Sequence, residues 1–191
     1  VVSGGDVDAA FESPEVVVRD TIIQQRLIPN AMEPRSALAS WVSSMGELTL
    51  WNTTQNPHIC RFVTSLVTGL GEHKIRVIAP EVGGGFGSKI AVYPWEMVTA
   101  FCSMRLGRPV KWIPERGDAF MTDVHGRDNV THAELAMNAE GRFLAARVAT
   151  IAHMGAYLST FGPLVPTYLY ATLLSGQYVL PAIHCTVKSC R

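Results

Sequence analysis

The residues best suited to bind a ligand are the glycines of the segment Gly83–Lys89, which reads GGGFGSK. Consecutive glycines let the backbone approach a ligand closely, and their N–H groups can point at an anion or an oxo group because no Cβ stands in the way. The segment follows an apolar strand-like stretch and precedes a helical stretch that begins near Pro94. We therefore expect a ligand-binding turn, with a purely structural tight turn as the alternative.

The common nucleotide-binding motifs do not fit this loop. A dinucleotide fingerprint GxGxxG that starts at Gly83 needs glycine where Ser88 stands. The phosphate-binding pattern GxxxxGK[ST] fails because Lys89 follows a serine and not a glycine. A stand-alone anion- or nucleotide-binding module therefore remains a weaker alternative function.

A second polar segment, WNTTQNPH from Trp51 to His58, lies where a strand ends and a helix begins. The neutral amide of Gln55 could donate a hydrogen bond to a bound oxygen without bringing a charge, while Thr54 or Asn56 could cap the helix. The alternative is that the segment only caps the helix. Taken alone, the segment is a weak indication of a site.

The remaining charged and metal-binding residue types point to structural roles. An ion pair between Glu33 and Arg35 is expected to order a turn, and the charged segment from Glu115 to Asp128 is expected to be a solvated loop. The six histidines and four cysteines show no metal-ligand spacing, so no zinc, non-haem iron or iron-sulfur site is predicted. We expect the cysteines to be reduced thiols, which weakly indicates a reducing compartment.

The elements that must position these segments alternate in type, which favours an α/β fold with some antiparallel pairing. Apolar spacing predicts two helices, one after Pro57 that ends at Gly69 or Gly71 and one after Pro94 that ends at Gly107. In each helix the apolar residues lie largely on one face. Those residues are Ile59, Phe62, Val63, Leu66, Val67 and Leu70 for the first helix, and Met97, Val98, Phe101, Met104 and Leu106 for the second. Strands are predicted over residues 22–27, 48–52, 75–79, 109–113 and 178–187, with a hairpin over 131–152 and one helix within 159–174.

Composition excludes several classes of protein. The chain has 191 residues, of which 48% are apolar and 17% charged, with 16 basic and 16 acidic side chains. This balance argues against disorder and against nucleic-acid binding, because no basic stripe is present. Apolar stretches are interrupted by proline and glycine, so no membrane helix is predicted. The chain starts without an initiator Met or a signal peptide, and we expect it to be a fragment of a longer protein.

Taken together, these segments resemble the large subunit of the molybdenum hydroxylases. The resemblance is carried by five stretches: WNTTQNPH, the helix after it, EHKIRVIAP from Glu72, GGGFGSK, and RPVKW from Arg108. It is closest to the aerobic carbon monoxide dehydrogenase large chain, within the wider xanthine dehydrogenase and aldehyde oxidase family. It covers nearly the whole chain, which we therefore divide into a connecting segment over residues 1–14 and the first part of a molybdenum-cofactor-binding domain over 15–191.

The resemblance implies a mixed fold with packed helices and a molybdenum–molybdopterin cofactor in its cytosine dinucleotide form, with the metal held by the pterin dithiolene. Gln55 matches the glutamine that hydrogen-bonds a molybdenum oxygen. Gly84, Gly85, Phe86 and Gly87 match the loop beside the metal. The implied reaction is hydroxylation with a water-derived oxygen, with electrons passing to iron-sulfur clusters and FAD on partner subunits of a cytoplasmic dimer of heterotrimers.

The resemblance also sets limits on the chemistry. Ile90 stands where purine-oxidising members carry a glutamate, which argues against a purine substrate. The family's catalytic glutamate and its cysteine-bearing loop fall outside this sequence, so the piece alone is expected to be inactive. Carbon monoxide, aldehydes and N-heterocycles remain open as substrates, and a non-catalytic interaction domain is a third alternative.

Overall fold

The computed structural model describes residues 1–190 and divides the chain into two compact units. Unit 2 is the continuous segment Ile28–Gly126. Unit 1 is discontinuous and combines Val1–Leu27 with the segment that follows Gly126. The sequence predicted a connecting segment over residues 1–14 followed by one domain. In the structure, the sheet of unit 1 combines strands from the beginning and from the end of the chain.

Unit 2 is built on a mixed sheet of four strands in the order β5-β4-β3-β6. The strands are β3 (Ala37–Val42), β4 (Glu47–Asn52), β5 (Ile75–Ile78) and β6 (Val110–Trp112). Strand β3 pairs antiparallel with β4 and β6, whereas β4 pairs parallel with β5. The mixed α/β class predicted from the sequence is confirmed.

The two long helices of unit 2 begin and end as predicted. Helix α2 (Pro57–Thr68) and helix α3 (Pro94–Leu106) each start with proline in the first turn. The caps that end them are Gly69 and Gly107, with left-handed φ values of 76° and 63°. Glycine adopts this conformation without a steric penalty, and this explains why both helices stop there.

The buried faces of these helices differ from the prediction. In α3 the buried residues are Glu96, Met97, Thr99, Ala100 and Ser103. Val98, Phe101 and Leu106 are exposed on α3, as are Phe62, Leu66 and Val67 on α2. Small residues face the sheet because they allow close packing, and buried Ser103 also accepts a hydrogen bond from Trp41 N–H at 2.9 Å. Met97 is buried, and Val63, Leu70 and Met104 pack against the core, so apolar periodicity predicted the buried faces only in part.

Unit 1 contains a sheet of five strands in the order β1-β9-β8-β7-β2. The strands are β1 (Val2–Gly4), β2 (Val16–Leu27), β7 (Gly126–Met137), β8 (Phe143–His153) and β9 (Ala182–Cys190). Strands β7 and β8 form the predicted hairpin around Gly141, and β8 pairs parallel with β9. This sheet is also mixed.

The sequence analysis did not predict several elements of the structure and predicted others only in part. Residues 1–14 contain β1 and the short helix α1 (Val7–Ala10), whose Val7 is buried against Ala136, Ala145 and Ala182. Strand β3 and helix α4 (Arg116–Thr122) were not predicted. The predicted helix within 159–174 consists of a π-helical turn, Val165–Leu169, and helix α5 (Tyr170–Leu173). Within residues 1–190, no helix is long and apolar enough to cross a bilayer.

Candidate functional site

The two segments that the sequence singled out lie side by side in unit 2. Gln55 lies in the turn between β4 and α2, and its backbone N–H donates to the carbonyl of Lys89 at 2.9 Å. The hydroxyl of Thr54, which is buried, donates to the same carbonyl at 3.2 Å. The end of the glycine-rich loop is therefore bound directly to the polar turn that carries Gln55.

The side chain of Gln55 has a defined orientation. Its Oε1 accepts a hydrogen bond from the N–H of Gly87 at 3.1 Å. Because a backbone N–H can only donate, the oxygen of the amide must face the loop, and the Nε2 group is left to donate elsewhere. Gln55 is solvent-exposed, so this neutral donor is available to a ligand.

The backbone of the glycine-rich loop depends on its glycines in two ways. Gly84 and Gly87 adopt φ values of 98° and 85°, which side-chain-bearing residues rarely adopt. Gly85 has a different requirement, because a Cβ placed there would overlap the side-chain amide of Gln55. The absence of a Cβ at Gly85 therefore leaves the space that the Gln55 side chain occupies. The sequence analysis had explained the glycines of this loop by the close approach of a ligand.

Phe86 lies at the exposed tip of this loop. Its φ of 51° places a bulky residue in the left-handed region, and 74% of its surface is accessible. A bulky residue held in this region is strained, and such residues cluster at functional sites. The loop thus presents an exposed aromatic ring, whose edge lies close to Gly84.

Only some of the N–H groups of the loop are available to a ligand, because the others donate within the chain. Gly83, Gly84 and Ser88 donate to Glu33 Oε2, the Val82 carbonyl and the Gly85 carbonyl. With Gly87 bonded to Gln55, the N–H groups of Gly85, Phe86 and Lys89 are those without an acceptor among the described residues. Because Lys89 is buried, the accessible donors are those of Gly85 and Phe86, at the tip of the loop.

Two ion pairs with buried cations contact the end of the loop. Lys89 Nζ donates to Glu33 Oε2 at 2.9 Å, and the lysine side chain is 1% exposed. Arg35, also buried, pairs with Asp123, whose second oxygen accepts from the Ser88 hydroxyl at 3.1 Å. The expected ion pair between Glu33 and Arg35 is wrong, because each residue pairs with a distant partner. Asp123 is likewise not in a solvated loop.

Aromatic rings enclose the guanidinium of Arg35. Its Cζ lies 3.6 Å from the ring centroid of Tyr93 and 4.2 Å from that of Trp95, and Trp95 stacks on Trp112. Such cation–π contacts stabilise a desolvated cation. The Tyr93 hydroxyl donates to the Ser88 carbonyl at 2.7 Å. Sequence reasoning missed this group, since its members are scattered along the chain and share no motif.

Two carboxyl groups of unit 2 have pKa values shifted in opposite directions, upward for Glu96 and downward for Glu33. Desolvation raises the pKa of Glu96 to about 7, against the opposing hydrogen bonds from Asn52 and Tyr93 N–H and the charge of Arg35. Burial also acts to raise the pKa of Glu33, but hydrogen bonds from Lys89 and Gly83 N–H hold it below its ordinary value. Glu33 is therefore held as a carboxylate beside the loop.

Comparison with known proteins identifies the family to which the chain belongs. The molybdopterin cofactor-binding domain family matches residues 1–191. The carbon monoxide dehydrogenase large chain of Afipia carboxidovorans is 39% identical over 180 residues, which are 94% of this chain and 22% of that protein. Among solved structures, a Cu,Mo-containing CO dehydrogenase aligns at 37% identity with a TM-score of 0.81, and quinoline 2-oxidoreductase from Pseudomonas putida 86 at 31% with 0.83.

The chain belongs to the molybdopterin cofactor-binding domain family. Each of the two structural alignments covers 98% of this chain and 24% of the other protein. The chain therefore spans about a quarter or less of the length of these relatives.

Proposed function

We propose that unit 2 forms part of the molybdopterin site of a carbon monoxide dehydrogenase-like oxidoreductase large subunit, with Gln55 and the loop Gly84–Gly87 in contact with the cofactor. The observation that carries the proposal is the bond from Gly87 N–H to Gln55 Oε1, which leaves the Gln55 Nε2 group free to donate beside the exposed tip of the loop.

The donor set fits an oxygen-rich cofactor. Gln55 Nε2 and the N–H groups of Gly85 and Phe86 are neutral donors, and Gly85 lacks the Cβ that would close the space held by Gln55. When bound, the molybdenum cofactor supplies two-electron redox chemistry. In this chain, Gln55 and the tip of the loop would hold its oxygen atoms, and fixed neutral donors would stabilise negative charge that develops there without a cost of reorganisation.

The identity of the relatives supports the proposed reaction and partners. Structures named for CO dehydrogenase and for quinoline 2-oxidoreductase both align over 98% of the chain, at 37% and 31% identity. Because the identity to the CO dehydrogenase is higher, carbon monoxide is our first proposed substrate class. An aldehyde or an N-heterocycle is the second. The proposal includes the cytosine dinucleotide form of the cofactor, iron-sulfur and FAD subunits as partners in a dimer of heterotrimers, and a cytoplasmic location, all of which rest on the family resemblance.

Substitution of Gln55 tests the proposal in the assembled enzyme. Gln55→Leu removes the donor while keeping the size of the side chain, and we expect turnover per bound molybdenum to fall by about one to two orders of magnitude, as for loss of one preorganised donor. Gln24→Leu, on the exposed strand β2, is the matched control. Unchanged turnover per molybdenum in Gln55→Leu would refute the role of Gln55, whichever substrate class the enzyme accepts.

A further inference from the structure

The two ends of the glycine-rich loop meet at one carboxylate oxygen. Glu33 Oε2 accepts the N–H of Gly83 at 2.7 Å and the ammonium of Lys89 at 2.9 Å. The backbone adds a third bond, from Glu33 N–H to the Gly83 carbonyl at 3.2 Å. A single side chain therefore bridges the first and last residues of the loop.

Local packing is adapted to this bridge. A Cβ at Gly83 would lie 2.6 Å from Glu33 Cβ, so glycine is required for the close approach of the two residues. Lys89 is 1% exposed, and an unpaired ammonium at that depth would be strongly unfavourable. The Lys89 carbonyl also accepts the bonds from Thr54 and from Gln55 N–H, so the position of Lys89 affects that of Gln55.

We infer that Glu33 is a positioning residue that closes the glycine-rich loop and so fixes Gly87, Phe86 and Gln55 for the cofactor. This inference rests on the proposed function for the cofactor contact, but the closing of the loop is a property of the chain itself. Glu33 need not touch the cofactor, because it acts through Gly83 and Lys89.

Removal of this bridge should affect two quantities that can be measured separately, the order of the loop and the overall stability of the chain. Glu33→Ala removes the bridge and also leaves the buried ammonium of Lys89 unpaired, so both loop order and overall stability should fall. Glu33→Ala combined with Lys89→Met removes the bridge without leaving a buried charge. The double variant should recover overall stability while the loop stays open.

The experiment is hydrogen–deuterium exchange on the native subunit in its assembly, with molybdenum and pterin measured on the same samples. We expect Glu33→Ala and the double variant to exchange residues 83–89 faster by on the order of tenfold, while the double variant regains the unfolding midpoint of the wild type. Glu33→Asp, which keeps the charge, should restore part of the protection. Glu47→Gln, at the exposed pair of Glu47 with Lys74, is the control and should change neither quantity.

Two results would overturn the inference. One is wild-type exchange of residues 83–89 in the double variant, which would mean that Glu33 only neutralises Lys89. The other is faster exchange spread evenly over unit 2 in both variants, which would indicate general destabilisation. A loop that opens as expected while molybdenum and pterin stay at wild-type levels would uphold the closing role and contradict the proposed function, so the two failures are distinguishable.

Discussion

The ion pair next to the glycine-rich loop of unit 2 is more deeply buried than the ion-pair network around Glu134 in unit 1. In unit 2, Arg35 and Asp123 have side chains that are 2% and 7% exposed. In unit 1, Glu134 bonds to Arg19 at 2.5 Å and to Arg147 at 3.1 Å, but the two arginine side chains are 65% and 37% exposed. Unit 2 also has exposed pairs, Arg61–Glu72 and Glu47–Lys74, so the comparison is between the buried pair next to the loop and the exposed network of unit 1.

The difference shows what each arrangement can do. Exposed pairs in water contribute at most about 1 kcal/mol each, because solvent and salt screen them. Loss of one partner from a buried pair is far more costly, since the remaining charge stays desolvated. The buried pairs therefore hold the backbone of residues 83–89 in one position, and the exposed network on unit 1 can vary with little consequence.

The largest effect is expected from Arg35→Met, which leaves Asp123 buried without its partner. We expect the free energy of unfolding of unit 2 to fall by about 3 to 5 kcal/mol. Urea unfolding followed by tryptophan fluorescence measures it, since all four tryptophans lie in unit 2. Adding Asp123→Asn should recover part of the loss. A loss below about 1 kcal/mol would mean that the Arg35–Asp123 pair contributes no more to stability than an exposed ion pair.

A smaller effect is expected from Glu96, a buried carboxyl that forms none of the ion pairs described. Because its pKa of about 7 in the folded chain lies above its ordinary value of 4.5, the folded state favours the protonated form. Its contribution to stability is full below about pH 4.5 and is lost as the pH rises to about 7.

Glu96→Gln should remove this pH dependence. Relative to the variant, the wild type is expected to lose about 3 kcal/mol of unfolding free energy between pH 5 and pH 8. Urea unfolding of both chains at several pH values measures the difference, with Glu47→Gln as the exposed control. Parallel stability curves for the wild type and Glu96→Gln would show that Glu96 does not titrate in this range.

The smallest effect is expected from Glu134→Gln in unit 1. Hydrogen bonds from Arg19 and then Arg147 hold the pKa of Glu134 below its ordinary value, against a burial effect that acts to raise it. The group is partly open to solvent, so we expect the stability of the β7–β8 hairpin to fall by no more than about 1 kcal/mol, and by less in 0.5 M salt. Hydrogen exchange of β8 measures it. A salt-independent loss above about 2 kcal/mol would show that the exposed Glu134 network stabilises the chain as a buried ion pair does, and would contradict the comparison.

The sequence predicted the elements whose signals are local. Helices α2 and α3 have proline at the start and left-handed glycine at the end, and both signals depend on a few adjacent residues. The closeness of Gln55 to the glycine-rich loop was implied only by the family resemblance, in which both lie beside the metal. Spacing alone could not show that Gln55 and Gly87, 32 residues apart, are joined by a hydrogen bond.

Features that depend on tertiary contacts were not predictable. Glu33 and Arg35 are close in sequence, and a pair between them was the simplest interpretation, but their partners lie 56 and 88 residues away. The face of α3 was predicted only in part for a similar reason: Met97 is buried as predicted, but Ala100 and Ser103 pack against the sheet where the larger Val98 and Phe101 are exposed. Neither choice is encoded in local periodicity.

The most direct test of the account is the molybdenum and pterin content of the native subunit with Gly85→Ala, measured beside Gly117→Ala. A Cβ at Gly85 overlaps the Gln55 amide, whereas one at Gly117 meets no atom within 4 Å, and neither glycine has a positive φ. We predict that the wild type and Gly117→Ala carry molybdenum and pterin in equal amounts and that Gly85→Ala loses most of both. Full content in Gly85→Ala, or no molybdenum and pterin in the wild type, would contradict the account.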